Sequence, residues 1–192
     1  MNYTIVTDSA ANIPTELAVK YDIRIITMTY FRDGKEYACR DTSKWNCHAY
    51  YQKIREGAKV TTSQINPQKY AQVFTEICKN GQDILFVGLS SGVSGSFNSA
   101  KIARQQVLEA FPERKIVLVD SLGASMGEGL LALRAGLLKK EGFDLRTVKD
   151  ELLRMRDRMF QVFTVDDLMH LKRGGRLSGI SAGIGTVLGL KP

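Results

Sequence analysis

The sequence predicts an α/β fold: a mostly parallel sheet with helices on both faces, then the start of a second, truncated α/β lobe. Three observations carry that prediction. Apolar, β-branched runs such as Ile84-Leu85-Phe86-Val87 and Ile116-Val117-Leu118-Val119 suit strands buried on both faces. Segments with apolar residues three or four apart alternate with those runs, which argues parallel strands joined by helices. Small and hydroxyl-bearing residues then collect where strands end, as in Gly88-Leu89-Ser90-Ser91-Gly92. The expected boundary separates a first lobe, 1–159, from the beginning of a second, 160–192.

In order, residues 3–7 read as a first buried strand ending at Asp8-Ser9. Pro14 is placed to open a helix whose apolar face is Leu17, Ala18 and Tyr21. Residues 23–31 are β-branched and apolar, hence a second strand, and Asp33-Gly34 signals a hairpin turn. A helix is expected over 45–56, with Trp45, Ala49, Tyr50 and Ile54 on one side, then a hydroxyl-rich loop over 57–64. Pro67 opens a helix running through Cys78. The strand at 84–87 leads through a glycine- and serine-rich loop into a helix bearing Phe97, Ala100, Ala103 and Val107. A strand at 116–119 ends in Asp120-Ser121, and helices follow over 124–140 and 145–159. Residues 160–165 read as a further strand, and Asp166-Asp167 as the start of a short helix stopped by Gly174-Gly175. Residues 180–190 are apolar and rich in small residues, and the ending at Lys191-Pro192 reads as a cut.

Composition excludes several classes. The formal charge is +7, spread along both halves with no run of five like charges, so a solvated surface is expected. Arg154, Arg156 and Arg158 are two apart and point around a helix, and aromatics are 8%, so no nucleic-acid partner is expected. Three cysteines without a C-x-x-C give no disulfide framework and no metal site, and fit a reducing cytoplasm. The first residues hold no signal-peptide core, and no apolar run reaches the ~18 residues of a membrane span.

The stretch 83–100 is the centre of the functional reading. A strand, a small-residue loop and a helix place a ligand at the carboxyl edge of a parallel sheet. Backbone N–H groups and hydroxyls there suit an anion. Asp8-Ser9 and Asp120-Ser121 share that edge, either as caps of the next turn or as ligand contacts. Gly88-Leu89-Ser90-Ser91-Gly92 also fits G-x-S-x-G, the nucleophile elbow of α/β hydrolases, with Asp120 and His170 following in hydrolase order. Only two histidines are available, His48 among tyrosines and His170 near a helix end. No phosphate-loop or dinucleotide fingerprint occurs.

Six segments in order are similar to the DegV family of bacterial fatty-acid-binding proteins. They are Val6-Thr7-Asp8-Ser9, Thr61-Thr62-Ser63-Gln64, Leu89-Ser90-Ser91-Gly92-Val93-Ser94-Gly95-Ser96, Asp120-Ser121, Asp166-Asp167-Leu168, and Leu171-Lys172-Arg173-Gly174-Gly175-Arg176-Leu177-Ser178. The resemblance implies a DegV-like first lobe and no enzymatic chemistry on this chain. It implies one long-chain fatty acid such as palmitate held between two lobes, no cofactor, and a separate fatty acid kinase that phosphorylates the acid. It gives the carboxylate to the hydroxyls of Thr62 and Ser94, with Ser63, Ser91, Gly95 and Ser96 as additional ligand loop. Thr62-Ser63 has the competing role of a cap ahead of Pro67, and Ser94 that of a cap on the following helix. Arg173 and Arg176 are assigned to the partner, a phosphate or a transient membrane surface, against a solvated basic turn. Family members continue into a lobe that supplies a histidine, and this sequence stops before it. For the tail, residues 123–127 and 180–190 offer small residues for an apolar tunnel; close helix packing is the alternative use.

Overall fold

The computed structural model describes residues 2–38, 46–165 and 168–177, and the chain divides between Met159 and Phe160. The main sheet of the first unit consists of β1 (Tyr3–Asp8), β2 (Ile23–Ile26), β6 (Asp83–Gly88) and β7 (Ile116–Asp120). These four strands are parallel, in the order β2-β1-β6-β7. Ile84 to Val87 are fully buried, as the unbroken apolar run requires of a strand covered on both faces.

Side chains alternate between two helical layers, following the two-residue period of a strand. Ile5, Leu85 and Val87 face α5 (Met126–Lys140) and α6 (Leu145–Arg156), where they meet Leu131, Ala135, Val148 and Leu152. Val6, Ile84 and Phe86 face α3 (Pro67–Lys79) and α4 (Ser96–Ala110), where they meet Tyr70, Phe74, Phe97 and Ala103. Each such buried side chain contributes roughly 1.5–3 kcal/mol relative to exposure. α1 (Thr15–Lys20) adds Ala18 to the first layer. α5 approaches closely because Gly129 has no side chain: a Cβ there would lie 2.5 Å from the Ala11 carbonyl oxygen.

A second, smaller sheet is antiparallel, with β3 (Thr29–Arg32) between β4 (Lys35–Ala38) and β5 (Val60–Thr62). Its hairpin turns at Asp33-Gly34, both with positive φ, as that dipeptide predicts. α2 (Cys47–Arg55) begins under an Asn46 cap and has no buried residue; Trp45 lies outside the described residues.

Three expectations need correction. The strand expected over 23–31 divides into β2 and β3 at Thr27-Met28. There the Ser9 hydroxyl accepts from Met28 N at 2.9 Å and Lys69 Nζ donates to Thr27 O at 2.5 Å. Side chains have taken the backbone groups that a ladder would use, so the strand leaves one sheet and joins another. The loop expected over 57–64 contains β5. No strand forms over 160–165, where Phe160, Val162 and Phe163 are exposed and β-propensity finds no partner strand among the described residues. Beyond that, α7 (Leu168–Arg173) is described, while Asp166-Asp167 and the apolar stretch 180–190 lie outside the described residues.

Candidate functional site

Parallel strands bring their carboxyl ends to one edge, so Asp8, Gly88 and Asp120 converge there. Ser121 N donates to Gly88 O at 3.1 Å and Ser90 N to Gly123 O at 3.0 Å, tying the 88–96 loop to the turn after β7. That turn holds two non-glycine residues at positive φ, Leu122 and Ser125, a concentration of strain typical of sites that hold something.

The two hydroxyl-rich segments singled out by sequence meet directly. Ser96, fully buried, accepts from Ile65 N at 3.1 Å and from the Ser94 hydroxyl at 3.0 Å. Ser94 Oγ in turn accepts from Ser96 N at 3.2 Å, so Ser94 folds over the start of α4. The Gln64 carboxamide lies over Gly95 in the space a Cβ would take, so glycine is needed there for the contact. Thr62 stands just upstream, exposed at the end of β5 and paired with Tyr30. Ser63 shares a hydrogen bond with Thr29 at 3.1 Å, beside a cleft of ≈ 550 Å³ lined by Thr27, Thr29, Tyr37 and Lys69. The cap ahead of Pro67 is the Asn66 side chain, which corrects the capping role considered for Thr62-Ser63.

Asp8 and Asp120 serve the edge as sequence allowed, by holding backbone. Asp8 accepts from Ala10 N at 2.9 Å and Leu89 N at 3.4 Å. Asp120 accepts from Leu122 N at 3.1 Å and Ser91 N at 3.2 Å. Ser91 is exposed. Arg173 ends α7, and Arg176 donates to Gly174 O; both are exposed and belong to the part of the chain after Met159.

Sequence reasoning missed a buried acid pair under the same edge. Glu128, fully buried in α5, accepts from the Thr7 hydroxyl at 2.9 Å, and its other oxygen has no hydrogen bond of normal geometry among the described residues, with the Asp8 N–H nearby favouring its charged form. Burial, reinforced by the negative charge of Asp8, raises its carboxyl well above the ordinary range. Burial likewise pushes Asp8 up to about 6, against the two backbone N–H groups that favour its charged form. Tyr70 approaches from α3, its hydroxyl buried near Ser96 yet without a hydrogen bond of normal geometry. In the sequence Glu128 shows only as one acid between two glycines at the start of a helix, which does not by itself mark it as buried.

No group of three or more His, Cys, Asp or Glu side chains arranged for a metal occurs among the described residues. No helix among them is long and apolar enough to cross a membrane.

Similarity to known proteins agrees with this arrangement. A DegV domain-containing protein of Clostridium perfringens is 38% identical over 99% of this chain, which spans 65% of that relative. A DegV family protein from Thermus thermophilus, described for its fatty acid binding, superposes with a TM-score of 0.85 at 38% identity, covering 100% of this chain and 66% of that one. A stearic acid-binding protein from Eubacterium ventriosum superposes with a TM-score of 0.82 at 28% identity, covering 99% of this chain and 65% of that one. The family model described as "Uncharacterised protein, DegV family" matches residues 2–192, and the chain belongs to the DegV family.

Proposed function

We propose that this chain takes part in binding a long-chain fatty acid, with the carboxylate at the Thr62 and Ser94 hydroxyls and the tail in an apolar tunnel. The observation that carries the reading is the meeting of two hydroxyl segments from distant parts of the chain at the carboxyl edge of the sheet. Its support from outside is that solved structures of the same fold are described as fatty-acid-binding.

The chemistry divides by ligand part. About 14 methylenes of a palmitate tail, at roughly 0.8 kcal/mol each, give on the order of 11 kcal/mol before association costs. A hydrogen bond to the charged head adds about 1.5–3 kcal/mol and fixes orientation. The Ser94 hydroxyl donates to Ser96 Oγ, and a carboxylate oxygen would replace that acceptor. Ser63, Ser91, Gly95 and Ser96 complete the loop around the head. No covalent step falls on this chain. It presents the acid to a separate fatty acid kinase in the cytoplasm, with Arg173 and Arg176 available for the kinase, the phosphate or a transient membrane surface. The two-lobe division at 159/160 belongs to the same proposal.

The second reading is a serine hydrolase acting through Ser90. The pattern Gly88-Leu89-Ser90-Ser91-Gly92 after β6 favours it. Weighing against it, a nucleophile elbow runs straight from the serine into a helix, whereas α4 starts at Ser96. Ser90 also lacks the positive φ of a strained elbow, and its Oγ accepts from Gly92 N at 3.2 Å. His48 is exposed on α2, and the His170 side chain is outside the described residues.

Native mass spectrometry of the purified protein, followed by lipid extraction, tests the first reading. A one-to-one fatty acid adduct is expected. A ligand-free protein that takes up no added palmitate and is labelled at Ser90 by a fluorophosphonate would overturn it in favour of the hydrolase.

A further inference from the structure

Two buried carboxyls lie directly beneath the loop assigned to an anion. Asp8 holds the N–H of Leu89, at the root of that loop, and Glu128 holds the hydroxyl of Thr7, the residue before Asp8. Both side chains are fully buried, and one Glu128 oxygen has no hydrogen bond of normal geometry among the described residues. Two full negative charges there would repel each other and any carboxylate above them.

Among the described residues the surroundings offer no counter-charge. From α3 comes Tyr70, a phenol. From β7 comes Asp120, turned to the N–H groups of Ser91 and Leu122, and Arg156 of α6 is engaged by the Asp120 carbonyl and the Asp157 carboxylate. The turn at Ser9–Ala11 carries no charge. Arg24 of β2 is bonded to Glu76, and Asp83 of β6, at the far end of its strand, faces Arg114. Farther along α5, Arg134 faces Glu151 and Lys139 faces Asp22. Among the described residues, neither Asp8 nor Glu128 has a cationic partner.

We propose that Asp8 and Glu128 hold a proton beneath the head-group loop, and that a carboxylate bound at the loop is coupled to uptake of a proton by this pair. The inference rests on the head-group reading above. Linkage makes it reciprocal: the anion raises the proton affinity of the pair, and the protonated pair raises the affinity for the anion. Burial pushes Asp8 up to about 6, so the coupling falls between pH 5.5 and 8. No bond is made or broken apart from that to the proton, which comes from solvent.

The test compares the parent with Asp8→Asn, whose single side-chain oxygen keeps the bond from Ala10 N, gives up the longer one from Leu89 N, and cannot ionise. Palmitate affinity is measured at pH 5.5 and 8 on the full-length chain. The expected result is equal affinity at pH 5.5 and about five- to tenfold tighter binding by the variant at pH 8. Tight binding by both proteins with the same pH dependence would overturn the coupling while leaving the head-group reading intact. No palmitate binding by either protein at either pH would overturn both. Carboxyl-detected NMR titration of the parent, with and without palmitate, covers the case of a variant that fails to fold. An upward shift of the Asp8 midpoint on binding supports the coupling, and an unmoved midpoint overturns it.

Discussion

Ser94 and Thr62 differ in what they give up to hold a ligand. Ser94 is partly buried and already bonded within its own loop, whereas Thr62 is exposed on an edge strand. Thr62→Ala or Ser94→Ala is expected to weaken palmitate binding about ten- to a hundredfold without abolishing it, because the tail term remains. Calorimetric titration checks this, and two variants that bind like the parent would remove the head-group assignment. Asp8 and Glu128 also set a pH dependence of stability, whatever they do for a ligand. Both are raised in the folded chain, so their contribution is complete below the ordinary carboxylate range and is lost as pH rises through about 6 for Asp8. The Asp8 part alone is about 3 kcal/mol. Urea unfolding should therefore show lower stability at pH 8 than at pH 5, with a smaller difference in Asp8→Asn. The residue types of this edge were legible in the sequence, since Asp-Ser after strands and serine-rich loops announce it. The choice of Thr62 over Thr61 came from family resemblance. The acid pair was illegible because Thr7 and Glu128 meet only once α5 has docked on β1.

The helical elements were read well where the 3.6-residue period was strong. α3, α4, α5 and α6 lie within a few residues of their expected spans, and the flanking cap residues explain the starts: Asn66 for α3 and Asp144 for α6. Strands were harder. Thr27-Met28 has the composition of a strand, and only the distant Ser9 and Lys69 side chains pull it out of the ladder. The short β5 pairs with β3 across a long sequence gap, which local propensity does not encode. The small residues over 123–127, which lead into α5, raised two uses, a tunnel or close packing. Farther along α5, Gly129 over Ala11 O and Gly136 over Tyr21 show close packing of the helix against the turn after β1 and the end of α1. Gly129→Ala should push α5 from the turn at Ala11 and destabilise by about 1–3 kcal/mol, because the atom met is backbone. Thermal unfolding measures it, and an unchanged midpoint would mean that α5 can shift freely.

Across the whole molecule, the parallel sheet and its two helical layers follow from pattern alone: buried strands alternating with amphipathic helices. The segment after Met159 was less legible. Phe160, Val162 and Phe163 have strand composition but no described strand to pair with. The basic turn at Arg173 and Arg176 is exposed, as a surface for a protein or phosphate partner must be. Replacing both with alanine should leave palmitate affinity unchanged and lower the rate of acyl phosphate formation by a fatty acid kinase. An unchanged rate would return the two arginines to the role of a solvated turn.

The strand order carries one more consequence, for the time before the fold exists. β1 begins at Tyr3, yet its neighbour on one side, β6, begins at Asp83. While the ribosome is still adding the residues between them, β1 has only β2 to pair with, and its other edge is open and apolar. A nascent chain stalled in that interval displays a strand that any passing edge can extend. For this sequence, the hazard of misassembly is set by translation speed through the stretch that ends at Gly88.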